Sequence, residues 1–299
     1  MSEHWRLLID PPYGGAMNMA RDEALLIGCA TGASPPTLRL YRWQPVTLSL
    51  GRFQRSGAVS RAACVEQGVH VVRRPSGGRA LLHDDELTYA VAVRDTHPLF
   101  LGSDVSEAYQ RISGALLEGI LRLGVAAELA PCTRRSTTDD RRPTTNDRRS
   151  KTQDARHNTQ DARRKTQHAR RNTQHVTRRS AACYDASVAF EVTVAGRKLI
   201  GSAQARRQGA ILQHGAIPFT PHADRLVALL TDPAPDLNQR MASLSEGIGV
   251  VSFDAVAQAL IAGFAEAWGV TLDAGGWTDE ELQLADELYW TKYTSDEWT

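Results

Sequence analysis

The sequence predicts an α+β fold, in which helices flank a mixed, largely antiparallel β-sheet. Three observations lead to this prediction. Short apolar segments follow one another through tight turns, longer segments with helical spacing of apolar residues bracket them, and 42% of the 299 residues are hydrophobic. Strands that meet mainly through hairpins favour this class over a doubly wound parallel sheet. The apolar content is adequate for a packed core.

The first half of the chain carries two predicted helices with strands between them. Residues 16–29 place apolar side chains on one helical face and charged side chains, among them Asp22 and Glu23, on the other. This pattern is typical of an amphipathic helix. A second helix is predicted over residues 104–123 on the same grounds. Strands are predicted over residues 37–41, 47–50, 69–73 and 87–93.

The second half begins with a predicted hairpin. Its strands cover residues 188–194 and 198–203 and turn at Ala195 and Gly196, and a further strand covers residues 210–217. A helix is predicted over residues 252–268. Thr278 with Glu281 three residues later offers a capping box for a last helix that extends to residue 292.

Between the two halves lies the basic segment Thr133–Arg179, which repeats with a period of seven. Its units read TQDARHN, TQDARRK, TQHARRN and TQHVTRR, and only four of its 47 residues are apolar. A coiled coil needs two apolar residues in each heptad. We therefore interpret the segment as a disordered insert in a single catalytic domain that spans residues 1–299. The alternative is a tether for nucleic acid or an acidic partner, which the absence of aromatic residues for base stacking disfavours.

Charge is divided unevenly along the chain. The insert holds 15 basic and 5 acidic residues, whereas the remainder holds 20 basic and 29 acidic residues, a net charge of −9. The near-neutral total therefore conceals an acidic body with a basic insert.

The cysteines and the N-terminus bear on the cellular compartment. No Cys-x-x-Cys pair occurs among the four cysteines, Cys29, Cys64, Cys132 and Cys183, which argues against a zinc or dithiol site. With an N-terminus unlike a secretory signal, this pattern indicates a cytoplasmic protein. No run of 18 apolar residues is present, so we expect no membrane partner.

Residues 73–89 read RRPSGGRALLHDDELTY and carry the first candidate binding residues. Small residues at positions 76–78 let backbone approach a ligand between a strand and a turn. The neighbouring arginines, Arg73, Arg74 and Arg79, would suit a phosphate or a phosphopantetheine arm. The plainer alternative is a tight turn flanked by solvated arginines.

Cys183 lies directly after the insert, in the segment AACYD. A cysteine at a loop-to-strand junction can be reactive if a nearby cation lowers its pKa, and Lys198 is the candidate cation. Free cysteines are more often core residues, so the residues alone leave this question open. Cys29 on a helix and Cys64 near a strand fit the core interpretation.

His83 and His214 are possible acid–base groups. His214 alternates with apolar residues along one strand, so a hydrogen-bonded core histidine is the simpler interpretation. His83 precedes three acidic residues. A metal site there would need a second cluster of ligands, which the sequence does not offer.

Several segments together resemble one known family. They read NMARDEALL near the N-terminus, RRPSGGRALLHDDELTY, SAACYDASVAFEVTVAGRKLIGSAQARRQGAILQHGAI, and KYTSDEWT at the end. In order and spacing they resemble the lipoate–protein ligases and octanoyltransferases of the biotin/lipoate protein ligase superfamily. The resemblance covers nearly the whole chain except the basic insert.

The resemblance implies a biotin/lipoate protein ligase-like catalytic domain with an acyl pocket beneath the glycine loop. It implies two catalytic residues, Cys183 as the nucleophile and Lys198 as a cation close to the acyl carbonyl. It also implies a set of substrate-binding residues, which are Arg74, Ser76, Gly77, Gly78, Arg79, His83, Gly201, Ser202, Ala203, His214 and Gly215.

The family divides by chemistry. Its ligases resemble one another in a third glycine after the Gly-Gly pair and a Gly-Asn after His-Asp, where this chain has Arg79 and ELTY. In both places the chain resembles the cysteine-dependent octanoyltransferases. The expected function is octanoyl transfer in lipoate biosynthesis, from octanoyl-acyl carrier protein to an acceptor lysine through a thioester on Cys183. The alternative is an ATP-dependent lipoate–protein ligase that acts through lipoyl-adenylate.

The expected reaction fixes the expected partners and cofactors. A thioester stores the energy of the new amide, so no cofactor is expected, and ATP and Mg²⁺ belong only to the ligase alternative. The acceptor would be a lipoyl domain or a glycine-cleavage H-type protein, and no nucleic acid is expected. Transfer between two acceptors and a non-catalytic lipoyl-domain binding protein stay open. An acidic carrier protein needs a basic patch, for which the sequence offers Arg73, Arg74, Arg79, Arg206 and Arg207.

Overall fold

The computed structural model of the protein describes residues 2–131, 190–234, 236–295 and 297–298. The insert Thr133–Arg179 lies outside these ranges. The strands are β1 (Glu3–Ile9), β2 (Thr37–Tyr41), β3 (Thr47–Leu50), β4 (His70–Arg73), β5 (Leu81–His83), β6 (Glu86–Arg94), β7 (Ala127–Leu129), β8 (Val192–Val194), β9 (Arg197–Lys198), β10 (Gly201–Arg207), β11 (Ala210–Pro218) and β12 (Val270–Ala274). The helices are α1 (Gly15–Thr31), α2 (Arg61–Glu66), α3 (Val105–Arg122), α4 (Ala223–Leu229), α5 (Leu237–Arg240), α6 (Ser245–Ile248), α7 (Phe253–Trp268) and α8 (Asp279–Leu288), with a 3-10 turn at Ser56–Ala58 and a π-helical turn at Tyr289–Tyr293.

The main sheet has six strands in the order β10-β11-β6-β2-β1-β12. The pairs β10–β11, β11–β6 and β6–β2 are antiparallel, whereas β2–β1 and β1–β12 are parallel. The predicted mixed, largely antiparallel sheet is therefore confirmed. Both parallel pairs involve β1, a strand that the sequence analysis did not predict.

Side chains of the central strand β6 alternate between the two faces of the sheet. Leu87 and Val91 join the core formed with α3 and α7. Ala90 and Ala92 join the core formed with α1. This is the two-residue period of a strand, and it places α1 on one face and the α3–α7 pair on the other.

The structure corrects the sequence interpretation of the first helix. Asp22 and Glu23 were assigned to its solvent face, but both are buried, at 0% and 2% exposure. Each carboxylate has partners inside the protein, since Arg39 donates to Asp22 and Lys292 donates to Glu23. Burying a charge is tolerable when it is paired and hydrogen-bonded.

A second sheet, in the order β4-β3-β5, positions the glycine-rich segment. Strand β3 is parallel to β4 and antiparallel to β5. The chain must therefore reverse between β4 and β5, and residues 74–80 make that reversal. The loop singled out by the sequence thus lies between two strands of one small sheet.

The predicted hairpin is confirmed at its turn and corrected at its second strand. Strands β8 and β9 meet at Ala195 and Gly196, both with left-handed φ angles, 49° and 72°, as tight hairpin turns require. Residues 198–203 do not form one strand. The buried residues Leu199 and Ile200 separate β9, in a three-stranded sheet with β7 and β8, from β10 in the main sheet.

The four predicted helices are confirmed. The capping box of α8 is present, with the Thr278 side chain accepting from the Glu281 amide and the Glu281 side chain accepting from the Thr278 amide. That helix ends at Leu288 and passes into the π-helical turn, so it is shorter than predicted. Within the described ranges, the helices include none whose length and apolarity would let it cross a membrane.

Candidate active site

A narrow pocket lies where the main sheet meets the smaller β4-β3-β5 sheet. Its walls are formed by Met19, Tyr41, Trp43, Ser49, Arg74, Leu81, His83, Thr88, Gly201, Ser202, Ala203, His214 and Gly215. Seven of the predicted substrate-binding residues are therefore brought together: Arg74, His83, Gly201, Ser202, Ala203, His214 and Gly215. Their role in binding stays a prediction.

The loop at residues 76–78 lies behind one wall of this pocket. Gly78 has a left-handed φ of 90°, and a Cβ there would lie 3.9 Å from the Cβ of the wall residue Ala203. Gly51 packs against the same loop, since a Cβ on Gly51 would lie 2.0 Å from the Gly78 carbonyl oxygen. Both glycines are therefore needed for the close backbone approach that the loop makes.

Arg74 fixes the backbone of the loop through hydrogen bonds. Its buried guanidinium donates hydrogen bonds to the carbonyl oxygens of Ser49, Gly77 and Arg79, at 3.0, 2.9 and 2.7 Å. Arg73 is also buried and donates to backbone carbonyls. The interpretation of these two arginines as solvated is therefore wrong, because their donors organise backbone, while Arg79 is only half-buried.

A first hydrogen-bonded network, here called the Asp22 network, consists of Ser76, His214 and Asp22. The Ser76 Oγ lies 2.5 Å from His214 Nε2, and His214 Nδ1 lies 2.7 Å from Asp22 Oδ2. A carboxylate only accepts, so Nδ1 carries a hydrogen and, in the neutral imidazole, Nε2 accepts from Ser76. The prediction of a hydrogen-bonded, buried His214 is confirmed, and the same ring lines the pocket.

Asp22 is anchored by further partners. Arg39 donates to Asp22 Oδ1 at 2.6 Å, and the Tyr41 hydroxyl donates to Oδ2 at 2.8 Å. Burial alone would raise the pKa of Asp22, but the charge of Arg39 and the bonds from His214 and Tyr41 outweigh it, so this pKa lies below its ordinary value of 3.8. Asp22 therefore stays ionised, and its charge fixes the orientation of His214.

A second network, here called the Glu86 network, consists of Ser49, His83 and Glu86. The Ser49 Oγ lies 2.8 Å from His83 Nε2, and His83 Nδ1 lies 2.7 Å from Glu86 Oε1. Trp43 stacks on the His83 ring, with centroids 3.8 Å apart. The His83 ring is therefore stacked on Trp43, and both of its nitrogens are hydrogen-bonded.

Gly215 shapes the pocket next to His214. A Cβ on Gly215 would lie 2.6 Å from the Ser202 Oγ and 2.9 Å from the Tyr89 ring. Tyr89 donates to that same Ser202 oxygen at 2.8 Å, and burial raises the pKa of Tyr89 to about 12. The phenol therefore stays protonated and acts as a fixed donor.

Lys198 is not among the residues that line the pocket. It is buried on β9, and its ammonium donates to the carboxylate of Glu191, which is also buried. The structure therefore places a buried pair, Lys198 with Glu191, just ahead of Gly201, the first pocket residue of β10.

Two of the four cysteines lie in the described ranges, and both are core residues. Burial raises the pKa of the Cys29 thiol to about 12 and raises that of Cys64 as well. Cys64 lies on α2, and its carbonyl accepts from the amide of Val69, directly before β4, so it is near a strand as predicted. Cys132 and the predicted nucleophile Cys183 lie outside the described residues. In the ranges described, no group of His, Cys, Asp or Glu side chains is arranged to hold a metal ion.

Several residues of the pocket and of its two networks were not predicted from the sequence. Ser49 and Trp43 lie on and beside a strand that looked purely structural, and Glu86 belonged to an acidic run after His83. Asp22 looked like one of several surface charges on a helix. The one usable signal was Glu86, because an acidic residue three positions after a histidine can reach its ring.

Sequence comparison finds relatives of this chain over nearly its whole length. The family model described as "Lipoyl protein ligase A/B catalytic domain" matches residues 15–265. Relatives named Octanoyltransferase LipM include one from Kyrpidia tusciae, 40% identical over 98% of this chain and 97% of that protein. Those from Brevibacillus brevis and Bacillus subtilis are 36% and 34% identical, each over 99% of this chain and 98% of the relative.

Solved structures agree on the fold. A crystal structure of lipoate-protein ligase A bound with ATP superposes with a TM-score of 0.72 at 25% identity, covering 100% of this chain and 98% of the other. A bi-partite lipoate protein ligase from Thermoplasma acidophilum, described with its E2 lipoyl domain, gives a TM-score of 0.71 at 23% identity, over 99% and 96% of the two chains.

Proposed function

Because this chain belongs to the family of lipoyl protein ligase A/B catalytic domains, we propose that it transfers an octanoyl group from octanoyl-acyl carrier protein to an acceptor lysine, through a thioester on Cys183. The class of activity rests on the curated relatives, which are octanoyltransferases at 32–40% identity over nearly their full length. The chain is an acyltransferase of lipoate biosynthesis.

The narrow pocket is the observation that carries the proposal. Met19, Trp43 and Leu81 give it apolar walls suited to an alkyl chain, and its volume of about 20 Å³ means that these walls must part to admit eight carbons. Ser202 brings a hydroxyl to the same pocket; it accepts from Tyr89, so its own hydrogen can be donated to a thioester carbonyl. Acyl pockets of this kind combine apolar walls with a few fixed polar groups.

In the first half of the reaction, the Cys183 thiolate attacks the carbonyl carbon of the octanoyl thioester. A bond forms between Cys183 sulfur and the acyl carbon, and the bond to the carrier's sulfur breaks. The carrier leaves as a thiolate, which takes up the proton that Cys183 gave up. The octanoyl group is then held on the enzyme.

In the second half, the amine of an acceptor lysine attacks the acyl-enzyme carbonyl. A carbon–nitrogen bond forms, the bond to Cys183 sulfur breaks, and the amine loses one proton as the amide forms. We assign Lys198 the stabilisation of negative charge on the carbonyl oxygen in both halves. The Lys198 ammonium donates to Glu191 and does not line the pocket, so this role requires Lys198 to turn toward the acyl carbonyl.

The reaction needs no ATP, since a thioester is already activated. The acceptor is proposed to be a lipoyl domain or a glycine-cleavage H-type protein, and the bi-partite ligase described with an E2 lipoyl domain supports a protein of that kind. A cytoplasmic location stays a prediction from the cysteine pattern.

Intact mass measurement tests the proposal directly. After mixing with octanoyl-acyl carrier protein, the protein should gain one octanoyl group, and Cys183→Ala should gain none. Cys64→Ala is the matched control, because Cys64 is a buried thiol whose pKa is raised. Full transfer activity in Cys183→Ala would overturn the mechanism.

The ligase is the second candidate, favoured only by the fold shared with the ATP-bound ligase. It predicts acceptor modification that requires both ATP and free lipoate or octanoate, and an enzyme that carries no octanoyl thioester. Repeating the mass measurement with and without ATP separates the two candidates.

A further inference from the structure

An exposed loop directly after β3 combines an aromatic ring with two cations. It is named here the 52–55 loop, and it contains Arg52, Phe53 and Arg55, all exposed. Phe53 is 84% exposed, and the Arg52 guanidinium lies 5.4 Å from the centre of its ring. A large apolar side chain held in solvent between two charges is typical of a protein-binding surface.

The backbone of the 52–55 loop is held in place by a buried arginine. The buried Arg73 guanidinium donates to the carbonyl oxygens of Gly51, Arg52 and Gln54, the first and last at 2.8 and 2.6 Å. It also donates to the Trp298 carbonyl, which ties the loop to the C-terminal segment. A surface fixed in this way loses little conformational entropy when it binds a partner.

The cations of the loop have no acidic partner among the residues that the structure describes. Within the described residues, neither Arg52 nor Arg55 lies in an ion pair. The basic patch predicted from the sequence did not include these two arginines. Of its members, Arg73 and Arg74 are buried and Arg79 is half-buried. Arg206 donates to the carbonyls of Ser103 and Asp104, and Arg207 pairs with Glu23.

The loop also adjoins the pocket. The Arg52 amide donates to the Ser76 carbonyl at 2.8 Å. Gly51 packs directly on the Gly78 carbonyl, and Gly78 in turn lies behind the wall residue Ala203. A partner seated on Phe53 would therefore stand beside the glycine loop that borders the pocket.

We propose that the 52–55 loop is the docking surface for the acyl carrier protein that delivers the octanoyl thioester. The inference rests on the proposed function and names where its donor binds. Outside the insert the chain carries a net charge of −9, which repels an acidic carrier over most of the surface. A local positive patch beside the pocket is where such a partner can approach, and the exposed ring supplies the apolar contact.

The test measures acyl-enzyme formation in a single turnover with two donors. One donor is octanoyl-acyl carrier protein, and the other is octanoyl-pantetheine, which has the thioester arm without the protein. The variants are Arg52→Glu, Arg55→Glu and Phe53→Ser. Arg94→Glu is the matched control, because Arg94 is an exposed arginine at the opposite end of β6 from Glu86.

Each charge reversal in the loop should lower the second-order rate constant of acyl-enzyme formation from the carrier-bound donor about tenfold at low salt. The loss should shrink as salt screens the charges. Phe53→Ser should lower this rate constant about fivefold at every salt concentration, because the lost contact is apolar. Arg94→Glu should change it less than twofold. For octanoyl-pantetheine, all four variants should react within about twofold of the wild type.

The outcomes distinguish a failure of the proposed function from a failure of the docking inference. If the wild type acquires no octanoyl group from either donor, the proposed function is wrong and the docking surface is withdrawn with it. If the wild type is acylated but Arg52→Glu and Arg55→Glu match Arg94→Glu with the carrier, only the docking inference is overturned. An equal loss with both donors, or a loss confined to transfer onto the acceptor, also overturns it.

Discussion

The Asp22 network and the Glu86 network flank one pocket with the same sequence of groups, a serine, a histidine and a carboxylate. In both, the carboxylate lies 2.7 Å from the histidine Nδ1. Both carboxylates are fully buried. The difference lies in what else each carboxylate touches.

Asp22 pairs with an arginine, whereas no arginine or lysine of the described residues pairs with Glu86. Both Asp22 oxygens are bonded, one of them to Arg39. Glu86 uses one oxygen, which accepts from His83 and Thr88, and the other has no hydrogen-bond partner within the described residues. No arginine or lysine in those residues forms an ion pair with Glu86.

This difference indicates which network the fold depends on. A buried ion pair is costly to break from one side, since the remaining charge loses its partner. A buried carboxylate that pairs with no arginine or lysine leaves no such cation unpaired when an amide replaces it. The Asp22 network is therefore part of the framework, whereas the Glu86 network can be altered without unfolding the pocket.

Asp22→Asn should have the largest effect on stability. It keeps the size of the side chain but removes the charge that pairs with Arg39, which then has only Asp10 as a carboxylate partner. The free energy of unfolding should fall by about 3 kcal/mol, measured by urea denaturation.

Glu86→Gln is the matched variant. Its amide oxygen still accepts from His83 and Thr88, and no arginine or lysine loses a partner, so the free energy of unfolding should change by about 1 kcal/mol or less. Equal losses in the two variants would contradict the distinction between the networks.

The dependence on pH should separate the networks further. The pKa of Asp22 lies below 3.8 in the folded protein, so ionised Asp22 stabilises the fold above the pKa of the unfolded chain, and this contribution is lost as pH falls through the folded value. The stability gap between wild type and Asp22→Asn should therefore be constant from pH 7 to pH 5 and narrow in strong acid. Urea midpoints for both proteins, taken from pH 7 down into strong acid, measure the gap. A gap that widened on acidification would have the wrong sign.

The sequence was sufficient where local pattern decides the structure. Strands β2 and β3 match their predicted ranges, and β6 extends its predicted range by one residue at each end. Strand β1 was missed because its seven residues, EHWRLLI, mix charged and apolar positions without alternation. Its Arg6 is tolerated because Glu281, far along the chain, pairs with it at 2.6 Å.

The pocket illustrates the same limit. Glycines and histidines of the predicted site stand out by residue type, and the fold gathers most of them at one place. Asp22 could not be singled out, because its role depends on Arg39 and on His214, 17 and 192 residues away. A charged residue on a helix looks the same in sequence whether its partner is water or a buried guanidinium.

The two serines should show the smallest difference between the networks. Ser76→Ala removes the hydrogen bond between Ser76 and His214, so His214 Nε2 loses this partner. The loss should cost about 1 kcal/mol. Ser49→Ala removes the bond to His83 and also the one that Arg74 donates to the same oxygen, so it should cost about 2 kcal/mol. Arg74 keeps its bond to the Ser49 carbonyl, which limits the loss. Urea unfolding with unchanged m-values measures both, and a larger cost for Ser76→Ala would show that the Asp22 network extends its rigidity to the glycine loop.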